Sequence, residues 1–167
     1  MIVIAYSAGK TPISYLPIGE VVSGFVMGGL IPLACYQVLT GELNFVVLVW
    51  SIPTIIGIGL IMMTNNTCDI EKDIEASRRT LPVLLGREKA RTLYHALMVV
   101  WVLAIIAIIG IWFPGHASCS LPCARLLPLM MAVGKIELAA PTRIGAMGQI
   151  CSVNVALGAF YAAALLL

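Results

Sequence analysis

Apolar residues in this chain come in long unbroken runs, not at every second position or at every third and fourth. Five runs cover residues 18–39, 45–63, 93–113, 119–134 and 149–167. The first carries one charge, Glu20, near its start. The second and fifth carry none, and the third has only His95 near its beginning. A helix rises ~1.5 Å per residue, so ~20 apolar residues cross a hydrocarbon layer of ~30 Å. The pattern predicts an all-α, polytopic transmembrane bundle of about five spans in a single domain. The fourth run is short and includes Arg125, so it spans only if tilted, or if the arginine snorkels or faces protein.

Composition sharpens this picture. The chain is 60% hydrophobic and only 11% charged, with a mean hydropathy of +1.02, which makes a lipid bilayer its first solvent. No basic stripe lies on a soluble face, so nucleic acid is excluded as a partner. The five cysteines are scattered over spans and connections and form no disulfide framework. Cys119 and Cys123 stand four apart and no nearby histidine or carboxylate completes a metal site, which favours packing over zinc. No base–nucleophile pairing is visible at His95 or His116, so both read as interfacial residues. The opening "MIVIAYSAGK" lacks a basic leader and reads as the tail of a helix followed by a loop.

Charge then sets an expected orientation. Lysines and arginines occur at Lys10, between residues 64 and 92, and at Lys135 and Arg143, whereas "TGEL" and "PGHAS" have none. The positive-inside rule puts the N-terminus and the 64–92 connection in the cytoplasm and the C-terminus outside.

The densest cluster of charge is "NNTCDIEKDIEASRRT", Asn65 to Thr80. Asn66, Asp69 and Asp73 fall at i, i+3 and i+7, one narrow face of a helix. One amide oxygen and two carboxylates on a face suit Mg²⁺, a hard cation that keeps few protein carboxylates. A bound cation also relieves repulsion between the two acids. Lys72, Arg78 and Arg79 stand within a turn or two, and guanidinium forks match phosphate oxygens. Acids for Mg²⁺ beside bases for phosphate point to a diphosphate site at the membrane surface. Mixed charge between two spans is also what an ordinary solvated loop contains, with Glu71, Lys72, Glu75, Arg78 and Arg79 as helix-surface pairs.

Other positions carry smaller expectations. Gly24, Gly28 and Gly29 give small-residue spacing for close helix packing. Pro53, Gly57 and Gly59 favour a bend in the second span. Tyr36 and Trp50 read as interfacial or packing aromatics. Glu20 suits a helix N-terminus, or a polar place in a cavity. Thr80 reads as a cap or a binding residue.

"NNTCDIEKDIEASRRTLPVLLG" resembles the second aspartate-rich motif of the UbiA-type intramembrane prenyltransferases, and most resembles the branch that prenylates dihydroxynaphthoate in menaquinone synthesis. Asn65, Asn66, Asp69, Asp73, Thr80, Leu81, Leu85 and Gly86 match that motif, while Ser77 replaces a usual glycine and Arg78 a usual lysine. "YSAGKTPISYLPIGEVVSGF" is similar to the entry to the family's fifth helix, through Tyr6, Gly9, Pro12, Ile13, Tyr15, Gly19 and Glu20. The resemblance implies a Mg²⁺-dependent transfer of a polyprenyl group from an isoprenyl diphosphate to an aromatic acceptor, with 1,4-dihydroxy-2-naphthoate as the expected acceptor. It implies that Asp69 and Asp73 are catalytic metal ligands assisted by Asn66. Lys72, Arg78 and Arg79 would hold diphosphate, and Tyr6 and Lys10 would reach substrate. The family's first aspartate-rich motif has no counterpart before residue 64. The chain is therefore expected to represent the C-terminal half of that fold and to be inactive without a partner half. The alternative is a non-catalytic membrane subunit that binds prenyl diphosphate or a partner.

Overall fold

The computed structural model describes residues 12–113, 134–135 and 137–166. Every regular element among them is helical. Helix α1 covers Gly19–Thr40, with a π turn at Val26–Leu30. The others are α2 Val46–Trp50, α3 Ile52–Cys68, α4 Ile70–Glu75, α5 Leu81–Leu85, α6 Arg87–Trp112 and α7 Arg143–Leu166. Short 3₁₀ turns at Ile13–Tyr15 and Ala140–Thr142 lead into α1 and α7. The fourth apolar run, with Cys119, Cys123, Arg125 and His116, lies outside the described residues, as do Tyr6 and Lys10.

Among the described residues, three helices are long and apolar enough to cross a membrane: Gly19–Thr40, Arg87–Trp112 and Ala140–Leu166, with Ile52–Cys68 shorter and also apolar. The helices outrun the apolar runs at one end. α3 continues to Cys68, and α4, α5 and the start of α6 make the 64–92 connection largely helical. The apolar run marks what lipid or protein buries, whereas helical hydrogen bonding continues into water wherever the residues permit it.

Local chemistry explains the breaks. Gly41, at φ 77°, ends α1 in the left-handed conformation, and its N–H donates to Gln37 O at 2.9 Å. Pro53 sits in the first turn of α3, where its missing N–H is harmless, and the expected bend falls just before it, at Ser51.

α3 is the centre of the bundle and touches α1, α6 and α7. Against α1 the approach is at backbone distance. A Cβ at Gly24 would stand 2.6 Å from Ile55 O, and one at Gly28 would stand 2.6 Å from Ile55 Cα. This is the small-residue packing expected of membrane helices. Pro32, four residues on, has no N–H to give Gly28 O, and Thr54 Oγ1 donates to it at 2.7 Å. Leu60, Met63, Trp101, Ile105, Ile150 and Leu157 fill the core between α3, α6 and α7. Asn154 in α7 turns inward and donates to Gly57 O at 3.1 Å, so its amide does not face lipid. Outward positions such as Val38, Leu39, Val99, Leu103 and Val155 are exposed and apolar. That surface suits hydrocarbon, and the chain is an integral membrane protein.

Candidate active site at the polar end of the bundle

The charged stretch sits where α3 gives way to α4. Asp69 is the joint, with φ −102° and ψ 18°. The hydrogen-bond ladder survives the joint: Asp69 N–H donates to Asn65 O at 3.1 Å and Asp73 N–H to Asp69 O at 2.9 Å. Asn66 therefore belongs to α3 and Asp73 to α4.

α4 ends in a Schellman motif. Arg78 N–H donates to Asp73 O at 2.8 Å and Ser77 N–H to Ile74 O at 3.0 Å. The motif needs a left-handed residue, and Ser77 supplies it at φ 56°, where the resembling motif has glycine. The turn delivers Arg78 and Arg79 to the segment before α1. Arg78 lies over the Tyr15 ring at 4.8 Å, and Arg79 N–H donates to Tyr15 O at 2.8 Å. The Arg79 side chain is exposed.

Each of the three candidate ligands has its own partner. Asn66 Nδ2 donates to Glu20 Oε1 at 2.9 Å. Asp69 pairs through Oδ2 with Arg143 Nε at 3.0 Å, and Lys72 Nζ stands 3.5 Å from Oδ1. The lysine contact is a loose ion pair, since Oδ1 accepts no hydrogen bond. Asp73 is buried; Thr80 Oγ1 donates to its Oδ2 at 3.1 Å, and Arg78 Nη1 lies 3.5 Å from its Oδ1. Thr80 stands at the N-cap of α5, and its hydroxyl serves Asp73 and not the helix end. Farther out, Arg87 Nη2 reaches both oxygens of Glu71 at 2.9 Å. A hydrogen bond from its own backbone N–H, and then Arg87, hold the Glu71 carboxyl below its usual range.

Among the described residues, no group of three His, Cys, Asp or Glu side chains could by itself hold a metal ion. The donor chemistry nonetheless fits a hard divalent cation. Two buried carboxylate oxygens, Glu20 Oε2 and Asp69 Oδ1, have no hydrogen-bond partner. Buried carboxylate oxygens that accept no hydrogen bond are costly, and a cation that takes few protein ligands relieves them.

Two contributors were harder to see in the sequence. Arg143 follows a proline at the start of an apolar helix, where it reads as a topology charge. Glu20 reads equally well as a helix-terminus acid. A cation at a helix N-terminus opposes the dipole, and that misplacement is the available signal that a carboxylate stands nearby.

The model of the UbiA prenyltransferase family matches residues 1–146. The chain belongs to the UbiA prenyltransferase family. Its relatives in that family include the 1,4-dihydroxy-2-naphthoate octaprenyltransferase of Bacillus subtilis, 38% identical over 68% of this chain and 35% of the relative. They also include UbiA prenyltransferase domain-containing protein 1 of Mus musculus, 31% identical over 92% of this chain and 44% of the relative. The Homo sapiens protein of the same name is 28% identical over the same shares. The chain thus spans less than half the length of these UbiA relatives. No solved structure matches it.

Proposed function

We propose that this chain contributes one acidic wall of an intramembrane site that transfers a polyprenyl group from an isoprenyl diphosphate to an aromatic acceptor. The carrying observation is the joint at Asp69. It sets two aspartates beside Lys72, Arg78 and Arg143 at the end of an apolar bundle. Membership of the UbiA family supports the reaction class. The Bacillus subtilis relative supports 1,4-dihydroxy-2-naphthoate as acceptor. The alternation of basic loops supports a cytoplasmic position for this end.

Asp69 and Asp73, assisted by Asn66, would hold Mg²⁺, which when bound neutralises charge on a diphosphate. Lys72, Arg78 and Arg79 bind phosphate oxygens by charge-assisted hydrogen bonds. These donors stabilise the leaving group as the allylic C–O bond breaks and its electron pair moves to diphosphate. The aromatic ring then forms the new C–C bond and loses a proton. Apolar helix walls take the isoprenoid chain and keep water from the allylic carbon. Because two aspartates make a partial cation site, turnover is proposed for the chain joined by a second acidic motif.

The test is Mg²⁺-dependent transfer of radiolabelled farnesyl diphosphate to dihydroxynaphthoate in membranes that carry the chain with a complementing family N-terminal half. Asp69→Asn and Asp73→Asn should each lower transfer at least a hundredfold. Wild-type rates in both variants would refute the assignment. Diphosphate binding without transfer by the complemented wild type would favour a binding subunit.

A further inference from the structure

Both groups that flank the joint are restrained by side chains from outside the charged stretch. Asn66 in α3 is held by Glu20, 46 residues earlier, on α1. Asp69 is held by Arg143, the first residue of α7. Arg143 is itself fixed, because Nε and Nη2 donate to Asn65 Oδ1 at 3.1 and 2.6 Å. The first and last described long helices thus converge on two adjacent turns of the central one.

The chemistry of each contact dictates an orientation. An ionised carboxylate only accepts hydrogen bonds, so Asn66 must present its NH₂ to Glu20, which leaves Oδ1 on the other edge of the amide. Arg143 Nε stands 3.0 Å from Asp69 Oδ2 as an ion pair, and Asp69 Oδ1, with Lys72 Nζ at 3.5 Å, accepts no hydrogen bond. In both residues one atom is committed and an oxygen of the same group remains available. Glu20 is only 4% exposed, so its hold on Asn66 is sheltered from water. Groups that orient metal-binding side chains in this way typically contribute ~10- to 100-fold in affinity.

We infer that Glu20 and Arg143 are positioning residues, which hold an oxygen of Asn66 and of Asp69 free of hydrogen bonds for a divalent cation. This rests on the proposal that Asn66 and Asp69 are cation ligands. Arg143 also offsets its own unfavourable place at a helix N-terminus by binding Asp69. A lysine there would keep the charge but lacks the planar fork that grips Asn65 Oδ1 and so holds Nε against Asp69. A glutamine at position 20 keeps an oxygen that accepts from Asn66 Nδ2.

The test is Mn²⁺ binding to the whole chain in lipid nanodiscs, followed by electron paramagnetic resonance, with melting temperature measured alongside. Glu20→Ala, Arg143→Ala and Arg143→Lys should each weaken Mn²⁺ binding about tenfold or more. Glu20→Gln should stay within about threefold of wild type, and Arg143→Lys should melt with wild type. Binding by Arg143→Lys and Glu20→Ala within twofold of wild type, while Asp69→Asn loses the ion, overturns the positioning role and leaves the ligand assignment standing. Equal weakening by Glu20→Gln and Glu20→Ala, in step with melting, also overturns it by making the contact merely structural. Failure of wild type to bind Mn²⁺, or unaltered binding by Asp69→Asn, overturns the ligand assignment and this inference with it.

Discussion

Halfway along the bundle, Gly28 and Ile55 leave no room for a methyl group between α1 and α3. At the polar end the same two helices are joined by one hydrogen bond of 2.9 Å, from Asn66 to Glu20. The middle contact is made by backbone shape, and Thr54 closes on Gly28 O there. The polar end is made by charge, and two of its buried oxygens remain unengaged. The middle is built for one packing, and the end retains the capacity to take a ligand. Stability and chemistry are therefore expected to separate along the same helices.

The separation is most severely strained by Gly28→Leu. A Cβ there meets Ile55 backbone, which a rotamer change cannot relieve, so the bundle should fail to assemble. Little monodisperse protein should survive detergent extraction, whereas Gly41→Ala, next to open space, should extract and lose only the ~1 kcal/mol of its left-handed turn. Asp69→Asn should do the reverse. Transfer in the complemented enzyme falls at least a hundredfold, about 2.7 kcal/mol in barrier. Melting moves by less than about 1 kcal/mol, because what is lost is an ion pair with the partly exposed Arg143.

A smaller gain is expected at the turn between them. Ser77 holds a left-handed conformation at φ 56°. Ser77→Gly should stabilise the chain by about 0.5–1 kcal/mol in thermal melting and leave the middle untouched. Smallest is the contribution of Glu71. Its folded carboxyl titrates below the usual 4.5, so the unfolded chain binds the proton more readily. That stability is fully present above the usual value and disappears as pH falls through the lowered one. Glu71→Gln should remove this slight acid dependence, read as melting temperature between pH 6 and pH 3.

The helical bundle was legible because each span is a long apolar run, and the glycine spacing at Gly24 and Gly28 announced close helix packing without naming the partner. The acidic residues were legible because Asn66, Asp69 and Asp73 share a short stretch. Their partners were not, because Glu20 and Arg143 come from distant segments and each has an ordinary local explanation at a helix start. Periodicity also placed all three groups on one uninterrupted helix. The joint at Asp69 is a backbone event that residue spacing does not encode, and the Schellman turn at Ser77 was visible only as a departure from a usual glycine.

The most direct test is a crystal structure of the complemented protein with Mn²⁺ and a non-hydrolysable prenyl thiodiphosphate, located by anomalous scattering. The expected result is Mn²⁺ within bonding distance of Asp69 and Asp73, with phosphate oxygens against Lys72 or Arg78. Metal and diphosphate bound elsewhere, with Asp69 still closed on Arg143 and away from both, would contradict the account.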